Sequence, residues 1–320
     1  MLIATPLAGA REPAPKGGSA AKAMAPPSTP ERPPYLWRIE GGGKPSYLFG
    51  TVHVGLDLES VLQKEGCDAL DHATRVFVEL DLTSGMTFEA AIRTLLTRSQ
   101  MGPGQSLRAL LTPAAWDRLV TMHKNQLSPE MLDQFEPWFA ALVTHRRLSE
   151  AGRKSAEATQ RRLAQRPALD YAIAARAKAH GIRVEALETP LQQVQVFNAA
   201  GPAMGLKMLR EQLADGRSAD DQITPLIDAY GAGDDRHLAK EFGRFIRRRR
   251  ELAERIAYQR NQLWVEHLAL WLPDGGMFVA TGVFHMFGDR GLVALLRQRG
   301  YRVERVSVSA PSADPAPVSR

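Results

Sequence analysis

Apolar and β-branched residues gather into six short runs, each bounded by glycine, proline or polar turn residues, and the stretches between them carry helical spacing. Residues 35–40 and 46–52 flank Gly41-Gly42-Gly43-Lys44-Pro45, a turn signal that predicts a hairpin. Further strands are predicted at 75–82, where Val76, Phe77 and Val78 precede Glu79, and at 182–187, 277–284 and 301–308. A short helix is predicted over 289–299, closed by Gly300, so the last two strands form a strand–helix–strand unit. Residues 84–180 and 190–270 are rich in Leu, Ala, Arg and Gln and read as helices. The pattern therefore predicts an α/β fold, with α+β as the alternative: a single domain with a small mixed β-sheet and a large helical elaboration.

The ends of the chain break this pattern. Residues 1–33 are a Pro/Ala-rich leader that buries too little to offset its ordering entropy, so it is expected to be disordered. The same reading applies to the tail at 309–320, which leaves 34–308 as the folded domain. Met1–Ala10 is apolar but lacks a basic n-region, so as written the chain reads as cytoplasmic, or exported if the true start lies upstream. No stretch approaches the roughly 20 apolar residues that span a bilayer.

Composition narrows the classes further. The chain is 44% hydrophobic and 24% charged, ordinary for a globular protein, with a net charge of +6. Four consecutive arginines, Arg247 to Arg250, are followed by Glu251 and Glu254, which predicts a solvated helix face rather than a nucleic-acid patch. The single cysteine, Cys67, excludes a disulfide framework and a cysteine-based zinc site, and its neighbours Glu65 and Asp68 disfavour thiolate.

The predicted strands stop at residues that carry chemistry. The second ends in Gly50-Thr51-Val52-His53 and the fifth in Gly282-Val283-Phe284-His285; the third carries Glu79 and Asp81, and the fourth leads to Glu188. Ligands bind at that edge of open α/β sheets. Two imidazoles and one or two carboxylates there form a plausible ligand set for Zn²⁺, Mn²⁺ or a similar divalent ion. Each glycine allows a close approach or a sharp turn just before its histidine. Asp81 either supports the site or faces water, and Glu188 either joins the site or caps the helix starting at Thr189-Pro190. Leu252, Ile256 and Leu263 suggest an apolar stripe that includes Arg260 and His267. An arginine there needs an anion, for which the site carboxylates are candidates, or it snorkels to the surface. The remaining histidines (His72, His123, His145, His180 and His237) lie in polar helical contexts without partners at ligand spacing. No P-loop, His-Glu-x-x-His or Gly-x-Ser-x-Gly motif occurs, so nucleotide binding is not expected.

Taken together these residues resemble the TraB/PrgY/GumN family, which includes the Tiki proteins. The resemblance rests on Tyr47-Leu48-Phe49-Gly50-Thr51-Val52-His53, Val78-Glu79-Leu80-Asp81, Pro137-Trp138, Leu169-Asp170, Ala186-Leu187-Glu188-Thr189 with Gln192 or Gln193, Arg260-Asn261, and Gly282 to Gly288 running into Gly291-Leu292 and Arg299 to Val303. It implies a metal-dependent hydrolase, peptidase-like, using Mn²⁺ or Co²⁺. By the same resemblance His53, Glu79 and His285 would hold the metal, and Glu188 would be an acid/base or a further ligand. Arg260 and Asn261 would orient carboxylates or substrate. The alternative function is a non-catalytic protein that captures peptides in the same cleft. The expected partner is a peptide or small-molecule substrate. Two departures stand out: Val283-Phe284, where small residues are common and the pocket would be narrowed, and Ala168 in place of a frequent glycine.

Overall fold

The computed structural model describes residues 35–53, 55–124, 127–145, 167–199, 201–214 and 219–306; the expected leader and tail lie outside them. All six predicted strands form, as β1 Leu36–Glu40, β2 Ser46–Thr51, β3 Arg75–Val78, β4 Arg183–Ala186, β5 Met277–Gly282 and β6 Arg302–Arg305. They make one mixed sheet in the order β4-β3-β5-β2-β1-β6. Strands β4, β3, β5 and β2 are mutually parallel, and β1 runs antiparallel to both β2 and β6.

The β1–β2 hairpin is fastened to the loop ahead of β5. Gly43 N donates to the Pro273 carbonyl at 2.8 Å, and a Cβ on Gly42 would stand 2.1 Å from the Leu272 carbonyl oxygen. Only glycine fits so close to another backbone.

The described helices are α1 Leu58–Asp71, α2 Gly85–Arg98, α3 Pro113–His123, α4 Pro129–Asp133, α5 Pro137–His145, α6 Leu169–Ala179, α7 Pro190–Ala199, α8 Gly201–Ala214, α9 Ala219–Gly231, α10 Asp235–Arg248, α11 Arg250–Ala253, α12 Arg260–Leu268 and α13 Leu292–Gln298. Local sequence sets several starts: Thr112 and Ser128 cap α3 and α4 through their hydroxyls, each with proline at the first helical position.

Side chains alternate across the strands, so the sheet is packed on both faces. Phe49, Val76, Val78 and Phe278 meet Leu62 and Leu70 of α1 and Ile173 and Ala177 of α6. Leu48, Phe77 and Val279 meet Trp264, Val265 and Leu268 of α12 and Leu292 and Leu296 of α13. A second core lies in the helical elaboration, around Leu107, Trp116, Leu119, Leu132, Trp138 and Leu209. The architecture is mixed α/β in one domain, as the pattern predicts. Among the described residues no helix is long and apolar enough to cross a membrane.

Three expectations need correction. β3 ends at Val78 rather than near residue 82, so Asp81 lies in a turn, where it accepts from Lys178 at 2.7 Å and from Thr83. His123 is buried, not in a polar context, and its Nε2 lies 3.2 Å from Thr144 Oγ1. The proposed stripe also slips: Leu263 is 59% exposed, whereas Arg260, Asn261, Trp264, Val265 and Leu268 are buried. The cause is a π-helical segment at Glu254–Gln259, whose wider turn shifts the phase of everything after it.

Candidate active site

Because β3, β5 and β2 are adjacent and parallel, their C-terminal ends emerge side by side. Glu79 follows β3, His53 lies two residues past β2, and His285 sits in a 3₁₀ turn, Val283–Met286, directly after β5. One oxygen gathers them. Glu79 Oε1 lies 3.8 Å from His285 Nε2 and 3.9 Å from His53 Nε2, and accepts the Gly282 N–H at 2.8 Å. The glycines of both Gly-x-x-His runs are needed for this approach. A Cβ on Gly50 would stand 2.9 Å from Val283 Cγ2; one on Gly282 would stand 3.3 Å from His53 Nε2 and 3.4 Å from Glu79 Oε1. Val283 is thus packed beneath Gly50, and Phe284 stacks on Phe242 of α10 at 5.5 Å.

Each imidazole is oriented from behind. His285 Nδ1 lies 2.6 Å from Asn261 Oδ1, and Asn261 Nδ2 donates to the Arg290 carbonyl at 2.8 Å. An amide oxygen only accepts, so Nδ1 carries the proton and Nε2 keeps its lone pair. His53 Nδ1 lies 2.9 Å from Asp170 Oδ2, whose other oxygen accepts from Thr51 Oγ1 at 2.7 Å. Both Nε2 atoms are therefore presented toward Glu79.

Arg260 occupies the far side of the cluster. Its Nε donates to Glu188 Oε2 at 2.9 Å, and its Nη2 donates to Glu188 Oε1 at 2.6 Å and to Glu79 Oε2 at 2.7 Å. Its Nη1 donates to the Ile256 carbonyl in the π-helical segment at 2.9 Å and stands 3.4 Å from His285 Nε2. Four of its five guanidinium N–H groups thus go to carboxylate or carbonyl oxygens, and the fifth faces the His285 Nε2 lone pair. Of the two roles open to this arginine, the geometry gives it the holding of carboxylates. Glu188 also accepts from Gln193 Nε2 at 2.8 Å; the cap of α7 is Thr189, which exchanges hydrogen bonds with Gln192.

Burial, followed by the charge of Arg260, pushes His285 down to about 3, so its ring is neutral near pH 7. For Glu79 burial acts upward, but nearby positive charge, that of Arg260 foremost, outweighs it and holds the carboxyl well below the usual range. Glu188 is raised by burial and by the Glu79 charge, against the pull of Arg260. Burial also acts upward on Asp170, yet its His53 partner holds it low.

All six residues singled out from the sequence meet here. The reading of single residues missed Asp170, which heads α6, and Thr51; Leu169-Asp170 contributed to the resemblance without a role. It also missed Tyr230, whose hydroxyl donates to the Gly50 carbonyl at 2.7 Å. Among the described residues no group of three or more His, Cys, Asp or Glu side chains stands as placed so that it could hold a metal ion. The donor chemistry nevertheless fits a divalent ion: two lone pairs fixed by acceptors behind them and one carboxylate oxygen. With metal–ligand bonds of about 2.0–2.2 Å, donors on different sides of one ion stand roughly 3–4 Å apart.

The sequence model of the TraB/PrgY/gumN family matches residues 35–305. The chain belongs to the TraB/PrgY/gumN family. Relatives of this TraB/PrgY/gumN chain include Metalloprotease TIKI1 of Danio rerio, 24% identical over 88% of this chain and 66% of that protein. Metalloprotease TIKI2 of Danio rerio is 25% identical over 87% and 62%. An uncharacterized protein of Treponema pallidum (strain Nichols) is 22% identical over 82% and 80%. The chain spans about two thirds of the length of the TIKI relatives. No solved structure matches it.

Proposed function

We propose that this chain is a metal-dependent hydrolase of peptide bonds, with His53, Glu79 and His285 holding a divalent ion. The observation that carries the proposal is the facing of two imidazole Nε2 atoms, from strand ends far apart in sequence, onto one Glu79 oxygen, with each Nδ1 engaged behind. The names of the TIKI relatives support the same reading.

When bound, a divalent ion polarises a carbonyl and lowers the pKa of a bound water toward neutrality. The chain's own residues do the rest. Asp170 and Asn261 fix the two rings; the Gly282 N–H and Arg260 hold Glu79 ionised and in place. Arg260 orients both carboxylates. Of the two acids, Glu188 is the better proton carrier, because burial and the Glu79 charge raise its pKa while that of Glu79 is held low. Mn²⁺ or Co²⁺ is the proposed ion and Zn²⁺ the alternative, since imidazole and carboxylate donors accept all three.

The test is metal content by mass spectrometry and cleavage of a peptide mixture, for wild type and for His53→Ala, His285→Ala and Glu79→Ala. The expected result is loss of both in variants whose circular dichroism is unchanged. Full metal occupancy in all three folded variants would eliminate the site. Peptides retained intact by the metal-loaded wild type would replace hydrolysis with capture.

A further inference from the structure

The helix α10 carries a line of positive charge that the described residues leave largely unbalanced. Arg236, Lys240, Arg244 and Arg247 recur at intervals of four, four and three residues, so they share one face, and all four are exposed; Arg248 and Arg250 extend it. The sequence predicts a solvated helix face for the arginine run, with acids one turn on. Of those acids Glu251 is exposed and Glu254 is engaged elsewhere. Glu254 is held by Arg290 through both oxygens, at 2.5 and 2.8 Å, and Arg249 turns away to Glu211 at 2.7 Å. Glu241 pairs with Arg244 at 2.6 Å, but among the described residues Arg236, Lys240, Arg247, Arg248 and Arg250 have no ion pair. Like charges four residues apart on a helix repel, so the stripe works against α10 unless something outside the described fold compensates it.

The opposite face of α10 fixes where the stripe stands. Leu238 and Phe242 are buried, and Phe242 stacks on Phe284, the residue before His285, with planes 18° apart. The cations are thus held on the outer side of a helix whose inner side touches the turn that carries a site histidine.

We propose that this face of α10 docks an acidic polypeptide segment of the substrate, alongside the site where the chain is cut; its role in substrate binding rests on the peptidase reading above. Cations four residues apart on a helix repeat about every 6 Å along its axis. Side chains on one face of an extended peptide repeat about every 6.6 Å, so Asp or Glu at alternate positions can follow Arg236, Lys240 and Arg244. Phe242 and Phe245, the aromatic residues of α10, lie by their spacing on the other side of the helix from these cations, so the stripe offers nothing to stack on bases. A bilayer is disfavoured because the apolar face of α10 is already packed in the protein.

The test uses the full chain and short fluorescent peptides with Glu at alternate positions, or with Ser in their place. Three exposed ion pairs of ordinary strength, to Arg236, Lys240 and Arg247, together give about tenfold tighter binding of the acidic peptide at low salt, lost as salt rises. The charge-reversed Arg236→Glu/Arg244→Glu/Arg247→Glu protein should lose that preference while keeping its metal content and its handling of the Ser peptide. Equal affinity for the two peptides, or a preference that survives charge reversal, overturns the proposal. So does an oligonucleotide or an anionic vesicle that binds the stripe more tightly than the acidic peptide. Mass spectrometry of the bound peptide separates the two ideas. An acidic peptide held but intact leaves the docking face standing and removes hydrolysis; cleavage of both peptides at equal affinity does the reverse.

Discussion

The helical half and the sheet edge bury different things. In the helical half Leu107, Trp116, Leu119, Leu132 and Trp138 close on one another, and the buried polar groups are modest ones such as His123 beside Thr144 and Ser99 on the Leu96 carbonyl. At the sheet edge Arg260, Glu79, Glu188, His285 and Asn261 are all buried within one network. A packed apolar core of the same volume is often at least as stable as a buried ion network, because desolvation offsets the attraction. The fold could thus have closed the sheet edge as it closed the helical half. That it buries charges there instead points to chemistry rather than stability.

The contrast can be broken by measurement. The largest effect is expected for Arg260→Met, which leaves two buried carboxylates facing each other without a cation; it should lower unfolding free energy by about 3–5 kcal/mol in denaturant titrations. Adding Glu79→Gln and Glu188→Gln should recover much of that loss, and a single variant as stable as wild type would show that the network is not charged as drawn. Next is Leu119→Ala in the helical half, expected to destabilise by about 2–5 kcal/mol through cavity formation, with metal content per folded molecule unchanged. A change in metal content would couple the two halves more tightly than their separate cores suggest. A smaller stability effect, about 1 kcal/mol, is expected for Asp170→Asn, together with roughly 10–100-fold weaker divalent-ion binding by calorimetric titration. The smallest concerns the surface pair of Asp71 with Arg176, joined by two hydrogen bonds of 2.7 Å. Arg176 holds the Asp71 carboxyl below its ordinary value. The pair therefore adds stability above the usual carboxylate range, and that increment disappears as pH falls through the lowered pKa. Melting temperature against pH should be slightly flatter on the acid side for Asp71→Asn than for wild type.

Much of this was legible in the residues themselves. Period-two and continuous apolar runs located six strands, because a sheet packed on both faces leaves a dense signal. The site residues were visible because parallel neighbours must end at one edge, and the ends of β2, β3 and β5 carried His53, Glu79 and His285. What escaped had physical reasons. The phase of α12 was misread through Leu263 because a π-helical turn leaves no mark in a pattern built on 3.6 residues. Asp170 begins a helix remote from His53 in sequence, where an acid is ordinary for a first turn, so its pairing depends on packing between elements. Asp81 was assigned to a strand that stops three residues earlier.

The cluster is also lopsided toward the outside. His53 keeps 30% of its side-chain surface open, while Glu79 keeps 5%, His285 8% and Arg260 9%. Traffic into the centre must then pass one ring, with the other held in reserve behind it. A reagent that labels imidazoles should mark His53 first, and anything lodged over that ring should shut the door on the whole assembly.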